Sequence, residues 1–210
     1  MLDENFTRFI YEALPQPSRV FEIGCGSGDL AQRLAQAGHQ MVAIDPDAPT
    51  GSIFSRLTLE DFSDTLPFDA VIASRVLHHI PDLRAAVEKI ASLLRPAGQL
   101  IVSDFAWERF DTAVVEWSTE RLGEAVTVAQ WRAEHRGLHT SDALLAAFHT
   151  AFAETELLWR PYLARERSRA DLEDEEGAAI AAGRIPAMGF WYSGQRRPQD
   201  RPADRPQSLD

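Results

Sequence analysis

The chain has 210 residues, 45% of them apolar and 25% charged, the size and balance of one globular domain with a sizeable core. Its formal net charge of −11 argues against nucleic acid as a partner, because that binding depends on Lys and Arg neutralising phosphates, and the basic residues here are scattered. A single cysteine, Cys25, excludes an internal disulfide framework and a thiolate-rich metal site, and with no membrane-length apolar run and no basic flank near Met1 a cytoplasmic protein is expected.

Residues 2–14 set Leu2, Phe6, Phe9, Ile10 and Ala13 at helical spacing, and Pro15 ends the helix. Arg19 to Ile23 then reads as a buried strand that stops in three glycines, Gly24, Gly26 and Gly28, separated by single small residues. A bare backbone at such a turn allows a ligand to approach the main chain. Leu30 to Ala37 forms the following helix, closed by Gly38. Met41 to Asp45 is a second buried strand, and its terminal carboxylate falls beside the glycine loop when the two strands pair in parallel. There Asp45 can accept hydrogen bonds from both hydroxyls of a ribose.

A dinucleotide fingerprint needs glycine at position 29, where this chain has Asp29, an unwelcome charge beside a pyrophosphate. A nicotinamide oxidoreductase is disfavoured on that ground. What stands in the sequence is Glu22-x-Gly24-x-Gly26-x-Gly28, acid first.

Arg56 to Leu59 is a third, shorter strand candidate, followed by the acidic pair Glu60 and Asp61. Phe68 to Ser74 reads as a central strand, residues 83–94 as a helix with Leu83, Val87, Ile90 and Leu94 on one face, and Gln99 to Phe105 as a further strand. This alternation of strand and helix predicts a doubly wound α/β fold with a mainly parallel sheet. Beyond Phe105, helices are expected over 106–125, 127–135, 141–152 and 171–182, and strands over 155–159 and 188–192.

The glycine loop resembles motif I of the class I S-adenosylmethionine-dependent methyltransferases. The block Phe68-Asp69-Ala70-Val71-Ile72-Ala73-Ser74-Arg75-Val76-Leu77-His78-His79-Ile80, with Leu94-Arg95-Pro96-Ala97-Gly98 after its helix, resembles the type 11 and type 25 small-molecule members. Glycine is commoner than Ala97 at that turn. The likeness covers residues 17–105. It implies a Rossmann-like domain over 1–193, with 17–105 binding S-adenosylmethionine, a helical acceptor lid over 106–183 and a closing antiparallel strand pair; residues 194–210, rich in Pro, Arg, Asp and Gln, have too few apolar residues to order themselves and are expected to be a disordered tail.

The resemblance also implies roles. Gly24, Gly26 and Gly28 would hold the methionine moiety, with Glu22 and Cys25 of the same loop also cofactor-binding, Asp45 would hold the ribose, and Glu60 or Asp61 would meet the adenine amino group. Ser74 and Arg75 would form the floor. His79, after the central strand, is the candidate base for a hydroxyl acceptor, since imidazole titrates near neutral pH.

His135 and His139 stand four apart beside Trp131 and Glu134, at metal-ligand spacing, but without a third ligand; pocket or capping roles fit better and no metal is expected. Trp107, Trp117, Trp131, Phe148, Trp159, Tyr162 and Trp191 enrich the second half in aromatics, which points to an aromatic or apolar small-molecule acceptor. The alternative function is a module that binds S-adenosylmethionine without turnover.

Overall fold

The structure, a computed structural model, describes residues 3–198. Among them seven strands form one sheet: β1 (Arg19–Ile23), β2 (Gln40–Ile44), β3 (Phe54–Ser55), β4 (Phe68–Ser74), β5 (Leu94–Phe105), β6 (Phe152–Arg160) and β7 (Gly189–Arg196). Their order is β3-β2-β1-β4-β5-β7-β6. β1 to β5 pair in parallel, and β7 runs antiparallel to both β5 and β6. This is the expected doubly wound sheet with its antiparallel closing pair.

Among the described residues eight α-helices accompany it: α1 (Glu4–Ala13), α2 (Asp29–Gln36), α3 (Leu83–Leu93), α4 (Thr112–Leu122), α5 (Val128–Glu134), α6 (Ser141–Ala151), α7 (Leu163–Glu166) and α8 (Glu173–Ala181). On one face of the sheet, Leu83, Val87 and Ile90 of α3 and Leu144 and Phe148 of α6 pack on Val71, Leu100 and Val102. On the other, Phe6, Phe9 and Ile10 of α1 and Leu30 and Leu34 of α2 pack on Val20, Ile72, Ile101 and Trp191. Asp3 caps α1 by accepting the amide hydrogens of Asn5 and Phe6.

The chain visits β2 and β3 on one side of β1, then crosses back to β4 on the other. The carboxyl ends of β1 and β4 therefore splay their loops apart, and open α/β sheets bind ligands in the crevice this leaves.

Three expectations need correction. The third strand is Phe54–Ser55, because Leu57 and Thr58 are exposed whereas Phe54 and Ser55 pair with Ala43 and Ile44. Residues 106–183 do not all form a lid: α6 belongs to the core layer beside α3, and β6 is the sheet's edge strand. The segments left outside those layers, 107–139 and 161–187, gather around a third cluster that includes Phe110, Trp117, Trp131, Leu163 and Met188. Finally, β7 continues to Arg196, where Gln195 pairs with Gln99 and Arg196 with Phe152, so residues 194–196 are ladder rather than tail. The remainder of the expected tail, from 199 on, lies outside the described residues.

Candidate active site

The glycine loop is fixed from both sides. The amides of Gly24 and Cys25 donate to the Ile44 carbonyl at 2.8 and 3.1 Å, and the Gly26 amide donates to the Asp45 carboxylate at 3.0 Å. A Cβ on Gly24 would stand 2.8 Å from the Val76 side chain, and one on Gly28 would stand 2.5 Å from the Phe54 ring. Those two glycines let other parts of the fold close on the loop. At Gly26, with φ +50°, a Cβ would meet nothing within 4 Å. Gly26 is thus the one of the three that leaves main chain bare toward open space.

Beside this loop a cavity of about 670 Å³ opens along the sheet's carboxyl edge. Glu22, Gly24, Cys25 and Gly26 line it from β1 and its loop, Ser74 and Arg75 from β4, and Ser103 and Asp104 from β5. Asp3, Phe6 and Thr7 of the α1 region cover one side, and Arg160, Tyr162, Arg165 and Glu166 the other. Phe190 and Trp191 complete the wall.

Glu22 is 3% exposed, and its Oε2 has no partner among the described residues. Burial pushes its carboxyl up to about 7, against the pull of the Ala31 amide and with a smaller push from Asp45. Burial likewise raises the Cys25 thiol to about 11, helped by Glu22 and Asp45, so this cysteine is a neutral packing group rather than a nucleophile. Glu22 thus puts a buried, unpartnered carboxylate oxygen into the wall of a ligand-sized cavity next to bare main chain, a setting that suits a cationic group.

Asp45 stands at the tip of β2 and accepts from Gly26 N through one oxygen and from Asp47 N, at 2.8 Å, through the other. A carboxylate has about four lone-pair sites, so each oxygen keeps one for a further donor. Asp45 does not line the cavity itself, and neither do Gly28, Glu60 and Asp61. Glu60 and Asp61 occupy an exposed turn pinned by buried Leu59 and Phe62, and the Asp61 carboxylate accepts from the Thr58 hydroxyl at 2.8 Å.

The histidines separate sharply. His79 is exposed, stacks on His78 with ring centroids 4.1 Å apart, and does not line the cavity. Partial burial and the neighbouring His78 lower its pKa. His78 is buried, and its Nδ1 meets Asp104 Oδ1 at 2.6 Å. Asp104 also accepts from the Phe105 amide at 2.9 Å, while its buried Oδ2 has no partner among the described residues. Asp104 was legible by the same rule as Asp45, an acid closing an apolar strand. Sequence reasoning passed over it because it sits inside the run that ends at Phe105.

Arg75 holds a left-handed φ of +51° at the end of β4, and its guanidinium pairs with Glu166 of α7 across the cavity. Tyr162 stacks on Phe105 with centroids 4.7 Å apart, and burial with the Glu166 charge raises its phenol. Glu176 orients this segment by accepting the amides of Tyr162, Leu163 and Ala164 at 2.8 to 3.0 Å. Of the aromatic residues noted in the second half, only Tyr162 and Trp191 reach the cavity; Trp117, Trp131 and Phe148 are core. His135 and His139 bond the carbonyls of Trp131 and Ile80, and among the described residues no three acidic, His or Cys side chains cluster for a metal.

A glycine loop at the switch point, an acid ending the next strand and an antiparallel pair closing the sheet define the Rossmann-like nucleoside-binding class of α/β proteins. Residues 2–151 match the family model described as a methyltransferase domain, and the chain belongs to that family. A ubiquinone biosynthesis O-methyltransferase of Bradyrhizobium sp. (strain ORS 278) is 30% identical over 112 residues, 46% of this chain and 44% of that protein. An uncharacterized methyltransferase of Mycobacterium tuberculosis (strain ATCC 25618 / H37Rv) is 36% identical over 98 residues, 41% of this chain and 50% of that one. The chain thus spans half or less of the length of these relatives. In fold it is similar to the Burkholderia thailandensis 1,6-didemethyltoxoflavin-N1-methyltransferase, solved with its named ligand and S-adenosylhomocysteine: the TM-score is 0.61 at 15% identity, covering 93% of this chain and 78% of that one.

Proposed function

We propose that the protein is an S-adenosylmethionine-dependent methyltransferase acting on a small molecule that offers a hydroxyl or amine. The observation that carries this reading is the unpartnered, buried Glu22 carboxylate beside the open main chain at Gly26, both on one ligand-sized cavity. When bound, S-adenosylmethionine supplies a methyl group already activated on a cationic sulfonium.

The chain's own tasks are then alignment, exclusion of water and management of one proton. Glu22, Gly24, Cys25 and Gly26 hold the amino-acid end, with Ser74 and Arg75 beneath it. Asp45 takes the ribose hydroxyls on its two remaining lone-pair sites, and the turn carrying Glu60 and Asp61 receives the adenine edge. Phe6, Tyr162, Phe190 and Trp191 shield the reaction from solvent and favour a flat, aromatic or apolar acceptor. The unpartnered Oδ2 of Asp104 accepts a hydrogen bond from the acceptor's hydroxyl or amine, and His78 fixes the carboxylate from behind. For a hydroxyl, Asp104 takes the proton as the oxygen's lone pair engages the methyl, a contribution of about 100- to 10,000-fold for a positioned base. The net charge of −11 and the lone Cys25 support a cytoplasmic protein without a nucleic-acid partner.

Titration calorimetry with S-adenosylhomocysteine, followed by transfer assays with labelled S-adenosylmethionine, tests the reading. Saturable binding with the methyl group appearing in a small-molecule fraction supports it; a folded protein that does not bind S-adenosylhomocysteine ends it.

A further inference from the structure

The cavity's charged groups are unequal. Arg75 pairs with Glu166, and Arg165 pairs with Glu173 and lies 3.6 Å from Asp3. Arg160 lines the same cavity, and its side chain has no ion pair or hydrogen bond among the described residues. Its guanidinium lies over the Trp191 ring, 4.5 Å from the centroid, and its Nε is buried without an acceptor. Trp191 is clamped on its own account by Phe6 and Phe9, with centroids 5.7 and 5.6 Å away.

A guanidinium carries five donors in a planar fork and no acceptor, so leaving it unanswered in a partly buried wall is costly. The indole face offers charge–quadrupole attraction but no lone pair for those donors. Water in the cavity can answer the exposed donors, but a ligand that displaces it has to supply acceptors in its place, and the fork's geometry matches a carboxylate in bidentate contact. We infer that Arg160 is the anion anchor of the site and receives a carboxylate of the bound ligand, flat against Trp191.

This rests on the methyltransferase reading and sharpens it. A carboxylate can belong to the acceptor or to the amino-acid end of the cofactor. Arg160 ends β6 and its guanidinium lies over Trp191 of β7, three strand positions from the glycine loop on β1, which at strand spacing is roughly 14 Å of sheet. The acceptor is therefore the expected source. With Asp104 taking a hydroxyl or amine, the acceptor class becomes an aromatic hydroxy or amino acid.

The test compares the full chain with Arg160→Gln and Arg160→Lys, all checked for native unfolding temperature. In one arm, calorimetry measures benzoate and 4-hydroxybenzoate against the neutral benzamide and 4-hydroxybenzamide. The acids bind about tenfold or more tighter than the amides, Arg160→Gln abolishes the difference and Arg160→Lys retains part of it. In the other arm, S-adenosylhomocysteine is measured against 5′-methylthioadenosine, which lacks the amino acid. A comparable loss in Arg160→Gln for the former alone also supports the anchor and assigns the carboxylate to the cofactor. The inference is overturned if acids show no advantage over amides and Arg160→Gln leaves both nucleosides unchanged. The acid arm does not require the nucleoside to bind, so failure of the methyltransferase reading is seen separately, as wild-type protein that ignores S-adenosylhomocysteine.

Discussion

The His78 imidazole and the Asp104 carboxylate meet at 2.6 Å with both side chains buried, 5% and 0% exposed, at the edge of the cavity wall. The adjacent His79 is exposed and has no such partner among the described residues. Removing one member of a buried pair strands the other, which costs about 1 to 3 kcal/mol. Asp104→Ala should lower stability by that amount in denaturant unfolding, whereas His79→Ala stays within about 0.5 kcal/mol. Asp104→Asn keeps the shape and removes the proton acceptor, so turnover of a hydroxyl acceptor should fall about 100-fold or more with S-adenosylhomocysteine affinity unchanged.

These two histidines also mark the limit of sequence reading. The apolar runs of β1, β2 and β4, the glycine loop and Asp45 are local patterns, and the sheet follows from them. Which of two adjacent histidines turns inward depends on the short 3₁₀ turn Leu77–His79 and on an aspartate 26 residues away on β5. Arg160 carries even less signal, because its importance lies in lacking a partner. The place of α6 in the core layer is hidden for a similar reason: its amphipathic pattern cannot reveal that its apolar face is matched to α3.

Glu22 links protonation to both stability and binding. Burial raises its carboxyl from an ordinary value of 4.5 to about 7. Below about pH 4.5 it is protonated both folded and unfolded and carries no penalty; as pH rises toward 7 the unfolded chain releases its proton first, and the fold loses stability, by about 3 kcal/mol at most. Glu22→Gln removes this slope, so its unfolding temperature should gain on the wild type between about pH 5 and 7 and run parallel above. A ligand ammonium favours the charged carboxylate. S-adenosylhomocysteine binding should therefore weaken below about pH 7 and release protons near pH 6, read by calorimetry in buffers of different ionisation enthalpy, with the release absent in Glu22→Gln.

The Arg75–Glu166 pair spans the cavity between β4 and α7, but its side chains are 57% and 35% exposed. Solvent screening holds such a pair to less than about 1 kcal/mol. Its effect belongs to ligand exchange: Glu166→Gln should leave the unfolding temperature essentially unchanged while speeding S-adenosylhomocysteine dissociation several-fold in stopped flow. Raised salt should accelerate dissociation from the wild type and not from the variant.

Ala97 occupies the turn between α3 and the paired part of β5 with a φ of +60°. A left-handed backbone costs a non-glycine residue about 1 to 2 kcal/mol, and glycine returns part of that as extra unfolded-state freedom. Ala97→Gly should stabilise the protein by about 0.5 to 1 kcal/mol, seen as a rise of a few degrees in the unfolding temperature. Its distance from the cavity wall in sequence and fold leaves ligand affinity unaffected.

Gly26 and Gly28 provide the sharpest separation of binding from folding. Both have positive φ, +50° and +79°, so alanine is strained at either. At Gly28 the new methyl would stand 2.5 Å from Phe54 and 3.1 Å from Pro49, forcing the glycine loop away from β3. Gly28→Ala should therefore lose about 2 kcal/mol or more, strain and overpacking together, and lose ligand affinity only as the loop shifts. At Gly26 the methyl meets no protein atom and projects into the space beside the cavity. Gly26→Ala should cost only the backbone strain of about 1 to 2 kcal/mol, yet weaken S-adenosylhomocysteine at least about tenfold by filling the place where main chain and ligand touch. Unfolding curves and calorimetry on the two variants read these outcomes together. Equal affinity in Gly26→Ala and wild type would move the ligand off the glycine loop.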